Sequence, residues 1–123
     1  MEKIKLRLVE AIEVFDIDLI KEILHKSFES DELENNFINK LYISFNEFKE
    51  FGDTKLISSA GKCGSCDKRK GGYLFVGNNS NNYMSFIISK NKRGIEIFKC
   101  SSFNCFERNI NLKSNMFDKE NPF

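Results

Sequence analysis

The chain has 123 residues, 41% of them apolar, with thirteen phenylalanines and no tryptophan. That is enough for one modest core built on Phe, Ile and Leu. No apolar run approaches the ~20 residues that span a bilayer, and Met-Glu-Lys-Ile-Lys-Leu-Arg-Leu at the start has no continuous apolar stretch or small-residue cleavage site. Membrane and secreted destinations are therefore not expected, and a cytoplasmic, reducing setting follows. The formal net charge of +1 hides an asymmetry: residues 1–60 carry eight Lys/Arg against thirteen Asp/Glu, and residues 61–105 carry eight against two. An acidic half thus precedes a basic one.

The acidic half reads as helix. Ile4, Leu8, Ala11, Ile12 and Phe15 recur at three- and four-residue spacing and share one face. Asp16 then suits an N-cap and Asp18 a first turn, for a second helix carrying Leu19, Ile20, Ile23 and Leu24. Ser30-Asp31-Glu32 opens a third, with Leu33, Phe37, Leu41, Phe45 and Phe48 in one stripe, Ile38 and Tyr42 beside it, and Gly52 as its stop.

Beyond Gly52 the period changes. Residues 54–60, 72–77, 83–90 and 95–100 are short, β-branched or aromatic, and bounded by turn residues, notably Asn78-Asn79-Ser80-Asn81-Asn82 and Asn91-Lys92-Arg93-Gly94. Met84, Phe86 and Ile88 alternate with Tyr83, Ser85, Ile87 and Ser89, which predicts one sheet face more apolar than the other. Consecutive hairpins make the sheet antiparallel. The expected fold is α+β, with N-terminal helices packed on a C-terminal antiparallel sheet that carries a four-cysteine zinc site. A single domain covers residues 1–106, helical over 1–52 and sheet over 53–106. A polar, loosely ordered tail, 107–123, follows, with only Met116 and Phe117 standing out.

The four cysteines fall as Cys63-Gly-Ser-Cys66 and Cys100-Ser-Ser-Phe-Asn-Cys105. Two close pairs joined by a long stretch let four thiolates converge on one tetrahedral Zn²⁺, and a reducing compartment favours metal over disulfides. Four thiolates leave no open coordination position, so such a zinc is structural. The wider spacing of the second pair makes Cys105 the ligand that His25 or an acidic side chain could replace. Two alternatives stand beside the metal: unligated, buried thiols, and a redox pair. The redox reading needs a helix after the first pair, and Asp67-Lys-Arg-Lys-Gly71-Gly72 does not read as one.

Lys62, Lys68, Arg69, Lys70, Tyr73, Lys90, Lys92 and Arg93 form a basic segment with aromatics. It could hold single-stranded nucleic acid by phosphate contact and stacking, or it could be solvated loops beside a core-facing strand. His25, the only histidine, reads as a surface or half-buried helix residue, and Asp16, Asp18, Glu47 and Glu50 read as caps and solvated helix face. No phosphate loop, nucleophile elbow or zinc-hydrolase motif is present.

The helix pair in Val9-Glu-Ala-Ile-Glu-Val-Phe-Asp-Ile-Asp-Leu-Ile-Lys-Glu-Ile-Leu24, followed by a long helix and an antiparallel sheet closing near residues 83–100, resembles the cone-shaped α+β fold of ketosteroid isomerase and nuclear transport factor. The resemblance covers roughly residues 4–100 as pattern. It implies a cavity between helices and sheet, which Tyr42, Tyr73 and Tyr83 could line. The paired cysteines depart from that group, and the competing shape is a zinc ribbon at 61–105 with a helical extension.

These readings converge on a non-enzymatic, zinc-stabilised module whose partner is another protein, of inhibitor, adaptor or immunity type. Nucleic-acid binding is the first alternative, and a small-ligand or enzymatic pocket is the second. The opposite charge of the two halves also permits a homodimer.

Overall fold

Three helices and then four strands follow one another in the computed structural model, which describes residues 2–62, 71–92 and 94–99. The elements are α1 (Glu2–Glu13), α2 (Ile17–Leu24), α3 (Asp31–Glu50), β1 (Leu56–Lys62), β2 (Gly71–Gly77), β3 (Tyr83–Asn91) and β4 (Gly94–Lys99). The four cysteines and the tail from 107 onward lie outside the described residues.

Local chemistry sets the helix ends. Asp16 caps α2 by accepting from the Leu19 amide at 3.1 Å, and Ser30 caps α3 by accepting from the Leu33 amide at 3.2 Å. At the end of α3, the Gly52 amide bonds the Lys49 carbonyl and the Asp53 amide bonds the Phe48 carbonyl, both at 3.0 Å. With Gly52 at φ +92°, this is the Schellman stop. The end of α1 repeats the same two bonds, Phe15 to Ile12 and Asp16 to Ala11, but the left-handed position is Phe15 at φ 61°. A bulky side chain there costs on the order of 1 kcal/mol in backbone strain. Its ring offsets this by packing on Phe45 and Phe48, with centroids at 5.0 and 6.2 Å.

The strands form an antiparallel meander in the order β1-β2-β3-β4. One row across the sheet runs Ala60, Tyr73, Phe86, Lys99. Residues in step with that row on the inner strands, Phe75, Met84, Phe86 and Ile88, join Ile95 and Ile97 of β4 and Leu56 of β1 against the helices. Leu8, Ile12, Ile20, Leu24, Leu41, Phe45 and Phe48 complete that core. Helices and sheet share this one core, so the fold is α+β throughout rather than a ribbon with a helical extension. A ring series, Phe28–Phe37–Phe86–Phe75, runs through it at centroid spacings of 5.4, 5.9 and 6.1 Å. The arrangement is compatible with a cone-like outline, with these rings occupying its interior. Among the described residues no helix is long and apolar enough to cross a membrane.

Several expectations need correction. β1 begins at Leu56 rather than at residue 54, because the amides of Thr54 and Lys55 turn to the Asn78 side chain at 3.0 and 3.5 Å instead of joining the ladder. Ile4, Leu33 and Tyr42 are exposed rather than in the core. A four-residue spacing drifts by about 40° per step around a helix of 3.6 residues per turn. Leu33 and Tyr42 therefore fall on opposite margins of the stripe centred near Leu41, and Ile4 lies one turn beyond Leu8, the first buried position of α1. On β3 both faces are buried: Tyr83, Ser85 and Ile87 are enclosed as well as Met84, Phe86 and Ile88.

Candidate functional site

Cys63, Cys66, Cys100, Cys105, Lys68, Arg69, Lys70 and Arg93 lie outside the described residues, and Lys62 is described only in its backbone. Among the described residues no group of three or more His, Cys, Asp or Glu gathers as a metal site. The strand register does bear on whether the two cysteine pairs can meet. Lys62 pairs with Gly71, whose row continues through Ile88 to Ile97, whereas Lys99 lies two residues further along β4. At strand spacings near 4.8 Å, the residues preceding Cys63 and Cys100 are roughly 15 Å apart on opposite edges of the sheet. The described strands alone therefore span the sheet between these two points. A shared site has to be closed by residues 63–70 and by those after 99.

The other candidates scatter. Tyr73 is half-buried on the helix side of the sheet, with Lys5 Nζ 5.7 Å from its ring centroid. Tyr83 belongs to the opposite face with Leu74 and Val76, and Tyr42 is exposed on α3, so the three tyrosines line no common pocket. Lys90 and Lys92 are exposed at the β3–β4 turn. His25 is the exposed C-cap of α2, its Nδ1 3.9 Å from Glu34 Oε2. It is the surface residue its sequence suggested.

What the fold does assemble is a groove of about 260 Å³ where the α2–α3 connection meets β4, lined by Ser27, Phe28, Glu29, Leu33 and Ile95 through Phe98. Side chains alternate across a strand, so Ile95 and Ile97 face the helices while Glu96 and Phe98 face away. A groove touched by all four must follow the margin of the strand. Its floor belongs to the core: Ile95 and Ile97 are buried, and Phe28 packs against Phe37 with the rings tilted. Its rim is apolar and exposed, with Leu33 49% and Phe98 38% accessible. Glu29 in the lining, and Asp31 and Glu32 in the adjoining first turn of α3, make the rim acidic.

A second cluster, around Asp53, is structural. Its buried carboxylate accepts from the Asn79 and Ser80 amides at 2.8 Å and from the Ser80 hydroxyl at 2.6 Å. Asn78 and Asn79 return bonds to Thr54 Oγ1 and the Gly52 carbonyl at 2.9 and 2.7 Å. The Asn-rich turn thus ties the β2–β3 hairpin to the end of α3. Neither cluster was singled out from sequence. The signal for the second was Asp-Thr after a helix stop together with Asn-Asn-Ser in a turn, side chains that bond nearby backbone. The groove had no local signal, because its walls lie more than sixty positions apart.

Comparison with protein-family models, with curated proteins and with solved structures finds no match.

Proposed function

We propose that this chain is a non-enzymatic binding module that holds an extended segment of another protein in the groove along β4. The observation that carries the reading is that one groove takes its lining from both faces of a single strand, Ile95 through Phe98, and from Phe28 and Leu33 opposite. A cleft that follows a strand margin suits an extended chain, whose alternate side chains enter the apolar floor and point outward. The acidic rim favours Lys or Arg at the outward positions.

The test is fluorescence anisotropy with a labelled decapeptide alternating valine and lysine, and a control alternating valine and glutamate. The expected result is saturable binding of the lysine peptide alone, weakened about tenfold by Glu29→Lys and by the pair Leu33→Ala and Phe98→Ala, since 1.4 kcal/mol corresponds to a factor of ten. Equal binding by wild type and both variants overturns the reading. A gel shift at low salt covers the rival class. Retention of RNA or single-stranded DNA, lost when Lys68, Arg69 and Lys70 become Ala, assigns the function to the basic segment instead.

The proposal includes a structural Zn²⁺ held by Cys63, Cys66, Cys100 and Cys105 in a cytoplasmic setting. Its support is the spacing of the two pairs and the closed four-thiolate chemistry. Elemental analysis of the purified protein then gives about one zinc per chain. No metal, with four thiols titrating freely under native conditions, contradicts it.

A further inference from the structure

β1 is an outer strand of the sheet, and its hydrogen bonds show which way each residue turns its backbone. The Asn78 amide donates to the Lys55 carbonyl at 3.1 Å, one step before the paired residues Leu56 and Gly77. Bonded and non-bonded pairs alternate along an antiparallel ladder. Ile57 and Ser59 therefore bond Val76 and Leu74, whereas the backbone groups of Leu56, Ser58 and Ala60 turn to the outer edge. Among the described residues no strand pairs with that edge, and Ile57, Ser59 and Ala60 along it are exposed.

Such an edge is a template for a further strand, and proteins commonly blunt it with a charge, a proline or a bulge in the strand itself. β1 carries none of these from Leu56 to Gly61. That stretch, Leu-Ile-Ser-Ser-Ala-Gly, is uncharged and without proline, and its register with β2 runs one to one. The charge at mid-strand comes from a helix instead. Ser58 Oγ donates to Glu13 Oε2 at 2.5 Å, which anchors the carboxylate of the last residue of α1 at the centre of the edge.

We propose that the outer edge of β1 is a self-pairing surface and that Glu13 keeps it single. The occupant it fits is a second copy of this chain, because the edge is complementary to itself. Antiparallel pairing about a two-fold axis at Ser58 sets Ser58 against its own mate and Leu56 against the partner's Ala60, so each outward-turned backbone group meets another. Ile57 then faces the partner's Ser59, and Lys55 faces the partner's Gly61, so the strands themselves oppose no like charges over this stretch. Glu13 is what opposes the pairing. The two Ser58 Cα atoms would stand about 5.5 Å apart, and the carboxylates bonded to the two hydroxyls would meet across the axis. The charge thus acts against identical copies in particular. The inference does not depend on the groove along β4 or on the metal.

Sedimentation velocity of the full chain over a range of concentrations, near neutral pH, tests it. Glu13→Gln removes the charge and keeps an acceptor for Ser58, and Glu13→Ala is a second uncharged variant. Glu13→Asp keeps the charge on a shorter side chain. Circular dichroism checks that each is folded. The expected result is that both uncharged variants dimerise at least about tenfold more tightly than wild type or Glu13→Asp. Adding Ala60→Pro, which deletes an outward amide and no bond to β2, should return Glu13→Gln to the monomer. Uncharged variants no more associated than wild type overturn the inference. So does a dimer that the proline leaves intact, which would place the seam elsewhere. Equal dimerisation by Glu13→Asp and Glu13→Gln also overturns it, since the effect would then follow the side chain's reach rather than its charge.

Discussion

Gly77 and Asp53 show how tightly single positions are specified. A Cβ built on Gly77 would overlap the Asp53 carboxylate, itself fixed by the Asn79 and Ser80 bonds. Gly77→Ala should destabilise the chain by about 1–3 kcal/mol. Asp53→Ala, which strands the buried Ser80 amide and hydroxyl and the part-buried Asn79 amide, should cost on the order of 3 kcal/mol in a urea titration. Near wild-type midpoints for both would refute the clasp. The two left-handed residues at helix ends make a contrasting pair. Lys26, exposed at φ 65°, gains little from its side chain, so Lys26→Gly should stabilise by about 0.5–1 kcal/mol. Phe15 at φ 61° is held by its ring contacts, so Phe15→Gly should destabilise by about 2–4 kcal/mol despite relieving the strain. Thermal melts of the two variants should move in opposite directions.

At the scale of elements, the helices were the most legible part of the sequence. Asp16, Ser30 and Gly52 each carry a local signal that acts within a few residues, and each does in the fold what that signal says. Ser30→Ala should therefore lower stability by about 1 kcal/mol without changing the fold, as read by far-ultraviolet circular dichroism and denaturation. The strands were legible in number and antiparallel sense, less so in extent, because Asn78 diverts the amides that would have begun β1. The burial of both faces of β3 was hidden. Alternation in Tyr83, Ser85, Ile87 and Ser89 looks half-polar, and only the register shows Leu74 and Ile87 enclosed side by side with Ser85. The groove could not be read locally at all. It exists because the meander ends at β4 and the α2–α3 connection returns to that same margin.

For the whole molecule, the sequence asymmetry has a physical location. The acidic half supplies the helices and the rim of the groove, and the basic half supplies the turns and strand ends of the sheet. The register sets Lys62 and Lys99, the residues that precede the two cysteine pairs, on opposite edges of the sheet. Cys63→Ser should then release the metal and lower the melting temperature together, measured by elemental analysis and calorimetry, whereas an unchanged melt would remove zinc from the account. The claim that β4 margins the binding groove is tested most directly by amide NMR of the full chain titrated with the valine–lysine peptide. The account predicts that the largest shifts fall at residues 95–98 and at Phe28, Glu29 and Leu33. Shifts confined to β1 or to the Asn78–Ser80 turn, or no shifts at all, would contradict it.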